Sequence, residues 1–140
     1  MASGERPVTE VRAATHDDMP AVRSLISRYP EQLIQDDLPR AVSFVVAVSA
    51  DQIVGCCALQ IYSRRLAEVR SLAIDPEHTG LGIAKTLVER CLRRARQRNV
   101  KQVLAVSSEA AFFERCGFPT FFREKTALFY DPPTKASGHS

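Results

Sequence analysis

The stretch DPEHTGLGIAKTLVERCL, residues 75–92, places two glycines directly before an amphipathic segment. Glycine has no side chain to obstruct a phosphate group that approaches the main chain. The first turn of a helix also offers free N–H groups and the positive end of the helix dipole. Gly80 and Gly82 therefore indicate either a site for a diphosphate or only a tight turn from a strand into a helix.

Two common nucleotide-binding motifs do not fit this stretch. A triphosphate-binding loop requires glycine, four residues and then Gly-Lys-Ser/Thr. Lys85 is followed by a threonine, but Thr79 and Ala84 stand where the two glycines of that loop would be. The dinucleotide fingerprint requires glycine at its first, third and sixth positions, and counting from Gly80 the sixth is Lys85. Neither motif is present.

A second group with chemical potential lies in LAEVRSLAI, residues 66–74, whose alternation predicts a strand. The alternation places Glu68 and Arg70 on one face together with Leu66 and Leu72. It places four other residues on the opposite face: Ala67, Val69, Ser71 and Ala73. A carboxylate in an internal strand is costly unless it is paired or used. Glu68 is thus expected to form an ion pair with Arg70, to take part in chemistry, or both.

Length and composition favour one globular domain. The chain has 140 residues, of which 45% are hydrophobic and 25% charged, a size that fits a single core. No run approaches the roughly 18 apolar residues of a membrane span, and MASGERPVTE does not resemble a secretory signal. We therefore expect a cytoplasmic protein that makes no contact with a membrane.

The side chains that commonly bind metals or nucleic acids are not arranged for either purpose. The four cysteines show no CxxC spacing and the three histidines are scattered, so neither a metal site nor a disulfide framework is predicted. Residues 89–101 gather six basic side chains, but no aromatic residues alternate with them for base stacking. A solvated helix face explains this cluster, and no nucleic-acid partner is expected.

The order of elements in the first half predicts a strand, a helix and three antiparallel strands. Residues 9–15 alternate as a strand, and 16–29 show the acidic start, early proline and apolar spacing of a helix. Residues 30–41 are predicted to form a brief helix or a loop. Residues 42–63 form two β-branched runs separated by Ser-Ala-Asp, which is typical of a hairpin, and 66–76 supply the next strand.

The second half predicts a long helix and a parallel strand. From Gly82 the apolar positions recur every three or four residues, as on a helix that packs against a sheet. Residues 101–108 then read as a buried strand reached by a crossover, and 109–118 as a short helix that ends at Gly117. Residues 119–131 are predicted to supply two last strands. The fold class is accordingly α/β, with a mixed, mostly antiparallel sheet of six to seven strands and about four helices.

Residues 79–84 resemble the acetyl-CoA-binding signature of the GNAT N-acetyltransferase superfamily, Arg/Gln-x-x-Gly-x-Gly/Ala after a strand that ends in Asp-Pro. The sequence departs from the signature at Thr79, where arginine or glutamine is usual. The resemblance extends from Val11 to Asp131. Two stretches, VGCCALQIYSRRLAEVRSLAIDPEHTGLGIA and FFERCGF, are similar to the branch of N-acetylglutamate synthases and their short relatives.

The resemblance implies transfer of an acetyl group from acetyl-CoA to a primary amine, such as the α-amino group of glutamate or a related amino acid. Other acceptors remain open: a polyamine, an antibiotic or a protein N-terminus. The chain could also be a non-catalytic module that binds acetyl-CoA. The resemblance further implies one acetyltransferase domain at 9–131 and a homodimer. Residues 1–8 and 132–140 are expected to be flexible termini.

The resemblance also implies roles for individual residues. Glu68 would be the general base, and Arg70 would bind a substrate carboxylate. The pantetheine arm of the cofactor would pair with Leu72, Ala73 and Ile74. The diphosphate would be held by the residues of the glycine turn: Thr79, Gly80, Leu81, Gly82, Ile83, Ala84 and Lys85. Phe113 stands where many members have a tyrosine that protonates the leaving thiolate, so it is expected to pack in the core or to line the acetyl channel, with water supplying the proton.

Overall fold

In the part of the chain that the structure describes, residues 10–80, 82–107 and 109–118, five β-strands form one sheet in chain order. The structure is a computed structural model. The strands are β1 (Glu10–Ala13), β2 (Phe44–Ser49), β3 (Gln52–Ile61), β4 (Leu66–Ile74) and β5 (Gln102–Ala105). β1, β2, β3 and β4 pair antiparallel with one another in that order, and β5 pairs parallel with β4.

Helices cover both faces of this sheet. They are α1 (Met19–Ile26), α2 (Ile83–Gln97) and α3 (Ala110–Arg115), with short 3₁₀ turns at His16–Asp18, Ala41–Ser43 and Pro76–His78. One core cluster contains the buried side chains of α1, and the other contains those of α2 together with Phe113 of α3. The crossover from β4 through α2 to β5 places a parallel strand beside β4, as expected for a connection that contains a helix.

The predicted order of elements is confirmed for the described residues, and two of the counts differ. Residues 30–40 form turns and bends, so the brief helix is not present there. Three α-helices are therefore found in the described residues, where about four were expected. The two strands predicted within 119–131 lie outside the described residues, which leaves five strands in place of six to seven. The predicted end of the third helix at Gly117 is confirmed, because this residue has a φ of 98°.

A β-bulge in β4 changes which side chains share a face. Cys56 lies opposite Ala73 and Ala58 lies opposite Arg70, so two residues of β4 face Cys57 alone. The first of the two, Ser71, has a φ of 58°. An extra residue of this kind reverses the alternation of all side chains after it.

The predicted grouping of side chains is consequently wrong beyond Arg70. Leu72 packs with the core on the α2 side, where Val69 also lies, and does not share a face with Glu68. Ala73 instead belongs to the core on the α1 side. Glu68 and Arg70 do share one face, because both precede the bulge.

β4 and β5 are paired over only part of their length. The pairing runs from Leu66, opposite Gln102, to Val69, opposite Ala105. β4 then continues for five more residues, 70–74, beyond the end of β5. No other described residue pairs with this edge of β4 beyond Val69, so among the described residues the edge is open at its C-terminal end. β5 itself is half-buried, not fully buried as predicted.

Candidate active site

The glycine turn leads into α2 with its main chain accessible. Gly80 and Gly82 both have a φ of 80°, in the left-handed region, and Gly82 is the N-cap residue of α2. A Cβ atom at either position would meet no atom within 4 Å. Within the described residues, no side chain caps this end of α2 and its first turn carries no acidic residue. The N–H groups of the first turn are thus arranged to attract an anion.

Thr79 has its hydroxyl occupied within its own loop. Its Oγ1 donates a hydrogen bond to the carbonyl of Pro76, at 3.1 Å. Ile83 is buried in the core, Ala84 is half-buried and Lys85 is exposed. Leu81, which was also predicted to contact the diphosphate, lies outside the described residues.

Gly55 of β3 lets the start of α2 lie close to the end of β4. A Cβ atom on Gly55 would lie 3.1 Å from Cδ1 of Ile74 and of Leu87, and 3.2 Å from Cγ2 of Ile83. Because glycine leaves this space free, the side chain of Ile74 at the end of β4 and those of Ile83 and Leu87 in α2 all come close to the main chain of Gly55. The glycine turn and the open edge of β4 are thereby neighbours.

The open edge of β4 presents main-chain groups of Leu72 and Ile74. The N–H of Asp75 donates to the carbonyl of Val54 on β3, at 2.8 Å. Successive residues of a strand point their N–H and C=O groups to opposite sides, so those of Ile74 and Leu72 point away from β3, and those of Ala73 point toward it. The carbonyl of Ile74 accepts a hydrogen bond from the Tyr29 hydroxyl, at 2.5 Å.

Asp75 joins the loop between β4 and α2 to the turn that follows α1. Its carboxylate accepts a hydrogen bond from Nη1 of Arg28 at 2.8 Å and one from Nδ1 of His78 at 3.0 Å. Burial alone would raise the pKa of Asp75, but the hydrogen bonds from His78 and Arg28 outweigh it and lower the pKa. The ionised carboxylate therefore holds the segment that precedes the glycine turn.

Glu68 accepts a hydrogen bond from a residue that sequence reasoning did not find. Oη of Tyr62 lies 2.5 Å from Oε1 of Glu68. Partial burial raises the pKa of Tyr62, as does its hydrogen bond to Glu68, whereas Arg70 acts in the opposite direction. The hydroxyl is thus protonated at neutral pH and acts as the donor. The pairing register of β3 and β4 would have predicted this contact. Gln60 lies opposite Glu68, and Tyr62, two residues after Gln60, lies on the same face.

The expected ion pair between Glu68 and Arg70 is not formed. The ion pairs among the described residues join Arg12 to Asp18, and Arg28 and His78 to Asp75. Arg70 is half-buried on the same face as Glu68 and close enough to Tyr62 to influence its pKa. Carboxylate, phenol and guanidinium groups thus occupy one face of the hairpin, next to the point where β4 and β5 part.

A cleft of about 380 Å³ opens at the end of β3 that β2 does not cover, and Leu59 and Ile61 of the α2-side core line it. Three arginines line it together with Gln60, the residue opposite Glu68. They are Arg40, Arg94 and Arg98. The guanidinium of Arg94 also donates to the carbonyl of Val42, at 3.0 Å. The positive charge of this cleft favours an anionic ligand.

Phe113 is buried in the core on the α2 side. Its ring makes edge contacts with the rings of Phe112 and Phe118, at centroid distances of 5.0 Å and 5.4 Å. The expectation that this side chain packs in the core is confirmed. Among the described residues there is no group of side chains that could hold a metal ion, and no helix is long and apolar enough to cross a membrane.

Comparison with known proteins shows the family of this chain. The acetyltransferase (GNAT) family profile matches residues 9–118. The amino-acid acetyltransferase of Mycobacterium tuberculosis is 37% identical over 121 residues, which are 81% of this chain and 68% of that protein. An uncharacterized N-acetyltransferase of Chlorobaculum tepidum is 30% identical over 122 residues, which are 83% of this chain and 79% of the relative.

Solved structures show the same fold. A Mycobacterium tuberculosis protein in complex with CoA and NLQ superposes with a TM-score of 0.74 at 32% identity, over 91% of this chain and 77% of the other. N-acetylglutamate synthase from Neisseria gonorrhoeae, complexed with coenzyme A and N-acetyl-glutamate, gives a TM-score of 0.67 at 23% identity. That match covers 76% of this chain but 27% of the synthase chain. The chain therefore belongs to the acetyltransferase (GNAT) family and is an acetyl-CoA-dependent N-acetyltransferase.

Proposed function

We propose that this enzyme acetylates the primary amine of a small amino acid, glutamate or a related one, with Glu68 as the general base. The observation that carries the proposal is the position of Glu68 and Arg70 on one face of β4, at the point where β5 ends. A carboxylate there can take a proton from an ammonium group. A guanidinium beside it can bind the carboxylate of the same amino acid.

Two main-chain surfaces fit acetyl-CoA. The N–H groups at the start of α2 are suited to the diphosphate, because no side chain caps them within the described residues and Gly80 and Gly82 leave the approach open. The open edge of β4 is suited to the pantetheine arm, which can pair with Leu72 and with the N–H of Ile74, whose carbonyl already accepts from Tyr29. Acetyl-CoA supplies the activated acetyl group, and the N–H of Leu72 is a donor for its carbonyl oxygen.

The chain's own part in the reaction is the handling of protons. The ammonium of the substrate loses a proton to Glu68, which leaves a nitrogen lone pair to form the bond to the acetyl carbon. As the bond from that carbon to sulfur breaks, the nitrogen releases its second proton to solvent, and the sulfur leaves as a thiolate that needs a proton. The side chain of Phe113 cannot supply one. A thiolate whose thiol has a pKa near the usual value of about 8.5 can take its proton from water.

The positive charge beside Glu68 is the reason for proposing an amino acid as the acetyl acceptor. Arg70 lies on the face of Glu68. This charge favours a substrate with a carboxylate and disfavours a polyamine. A relative that is 37% identical is named an amino-acid acetyltransferase, which supports the same class of acceptor.

The experiment that tests the proposal measures free thiol release from acetyl-CoA with a panel of amines. The panel contains glutamate, glutamine and aspartate. It also contains a dipeptide to represent a protein N-terminus, spermidine to represent a polyamine, and an aminoglycoside to represent an antibiotic. We expect release with an amino acid and a much lower rate with spermidine. Release of thiol with spermidine or the aminoglycoside but with none of the amino acids would overturn the proposed class of acceptor.

Glu68→Gln tests the role of the base in the same assay. We expect turnover to fall by a factor of about 10² to 10⁴, because the amide does not accept the proton at neutral pH. The affinity for acetyl-CoA, measured by calorimetry, should be little changed. A variant that keeps the turnover and the pH–rate profile of the wild type would remove Glu68 from the role of base.

A further inference from the structure

Tyr62 is held in a fixed position over the face of β4 that carries Glu68. Its N–H donates to the carbonyl of Leu66 at 3.0 Å. In the same turn, the N–H of Arg65 donates to Oγ of Ser63, also at 3.0 Å. These bonds define the turn between β3 and β4. The resulting distance of 2.5 Å between Oη of Tyr62 and Oε1 of Glu68 is at the short end for a hydroxyl that donates to a carboxylate.

We propose that Tyr62 is a positioning residue that orients the carboxylate of Glu68 for proton transfer. The inference rests on the proposed function of Glu68 as the base. The phenol occupies Oε1, so that Oε2 of the same carboxylate is directed to the proton of the substrate ammonium. A glutamate side chain has several rotatable bonds, and a fixed hydrogen bond removes the rotamers that would point the carboxylate away from the amine.

The charges around the phenol support this role. Tyr62 stays protonated at neutral pH, because partial burial and the carboxylate raise its pKa, and it therefore donates to Glu68 throughout the working range. Arg70 lies near the same hydroxyl and on the same face of β4. The phenol thus takes the place next to Glu68 that an ion pair with Arg70 would otherwise occupy. The guanidinium remains available for a substrate carboxylate.

Tyr62→Phe is the test, since it removes the hydroxyl and keeps the ring. Tyr62 is 53% exposed, so the fold should be retained, and thermal unfolding of the variant verifies this. With the amine that gives the highest rate for the wild type, we expect kcat to fall about tenfold and the KM for acetyl-CoA to stay the same. Ser27→Ala is the matched control, because it also removes one exposed, hydrogen-bonded hydroxyl but lies outside the hairpin that carries Tyr62 and Glu68. It should leave kcat unchanged.

The double variant Glu68→Gln/Tyr62→Phe separates positioning from a general structural effect. If Tyr62 acts through the carboxylate, its removal should change the residual rate of Glu68→Gln by less than about twofold. An equal loss of kcat in both backgrounds, or no loss of kcat in the wild-type background, would overturn the role of Tyr62 and leave that of Glu68 unaffected. A wild type that transfers acetyl to no amine would overturn the proposed function, and this inference with it.

Discussion

The hydroxyl of Tyr29 lies 2.5 Å from the carbonyl oxygen of Ile74, so the segment after α1 is tied to the last residue of β4. This carbonyl points to the open edge, where no neighbouring strand of the described residues satisfies it. In Tyr29→Phe the carbonyl loses its partner while the ring is kept. We expect the free energy of unfolding to fall by about 1 to 2 kcal/mol, measured by urea denaturation. An unchanged midpoint and slope would show that water replaces the hydroxyl without cost.

Gly82→Ala should weaken the binding of acetyl-CoA. Alanine is strained at a φ of 80°, and its methyl group would stand where we place the diphosphate. We expect a loss of about 1 kcal/mol of stability and a rise in the dissociation constant of at least about tenfold, measured by calorimetry.

Asn99→Ala is the matched control for this variant. Asn99 also has a positive φ, 58°, but it lies at the other end of α2. It should lose a comparable amount of stability and keep its affinity for acetyl-CoA. Equal losses of affinity in the two variants would mean that Gly82 acts only through the stability of the helix.

The pair Arg12 and Asp18 should make stability depend on pH in the acidic range. Hydrogen bonds from the Arg12 guanidinium at 2.7 Å and 3.2 Å, and from the N–H of Thr15, lower the pKa of Asp18 to about 2 from 3.8. Because the pKa is lower in the folded state, the ionised form stabilises the fold above about pH 4. This contribution is lost as the pH falls from about 4 to 2.

Asp18→Asn should therefore lower the free energy of unfolding by about 1 to 2 kcal/mol at pH 7 and by much less at pH 2.5. Denaturant unfolding at both pH values is the measurement. Asp17→Asn, in the exposed neighbouring position, should have little effect at either pH. The same loss at pH 7 and pH 2.5 for Asp18→Asn would contradict the role of the charge.

The thiols should differ in reactivity according to burial. Cys56, Cys57 and Cys91 are inaccessible to solvent, whereas Cys116 is half-buried. Burial raises the pKa of Cys56 to about 12, and it also raises the pKa of Cys116. With iodoacetamide at pH 8 we expect slow labelling of Cys116 alone in the folded protein, and labelling of all four after unfolding. Mass spectrometry that found native Cys56 labelled as fast as Cys116 would contradict the packing of β3.

The order of elements could be predicted from the sequence because each has a local signal. The period of apolar residues in α2, the early Pro20 in α1 and the β-branched run of β2 each specify one type of element. The glycine turn could be predicted for the same reason, since Gly80 and Gly82 both adopt the left-handed conformation that glycine tolerates.

The bulge at Ser71 and the contact of Tyr62 could not be predicted in this way. A bulge depends on the pairing of β4 with β3, and nothing in the alternation of LAEVRSLAI signals an extra residue. The face assigned to Leu72 was wrong for that reason. The position of Tyr62 depends on the turn that follows β3, where a shift of one residue would place the phenol on the other face.

Main-chain amides at the start of α2 should bind the diphosphate of acetyl-CoA, and the roles of the other site residues depend on this contact. Titration of ¹⁵N-labelled protein with acetyl-CoA, followed by amide spectra and hydrogen exchange, tests it directly. We predict that the amides of Gly82, Ile83, Ala84 and Lys85 shift strongly and exchange more slowly when the cofactor is bound. Saturable binding that leaves these four amides unchanged would contradict the account.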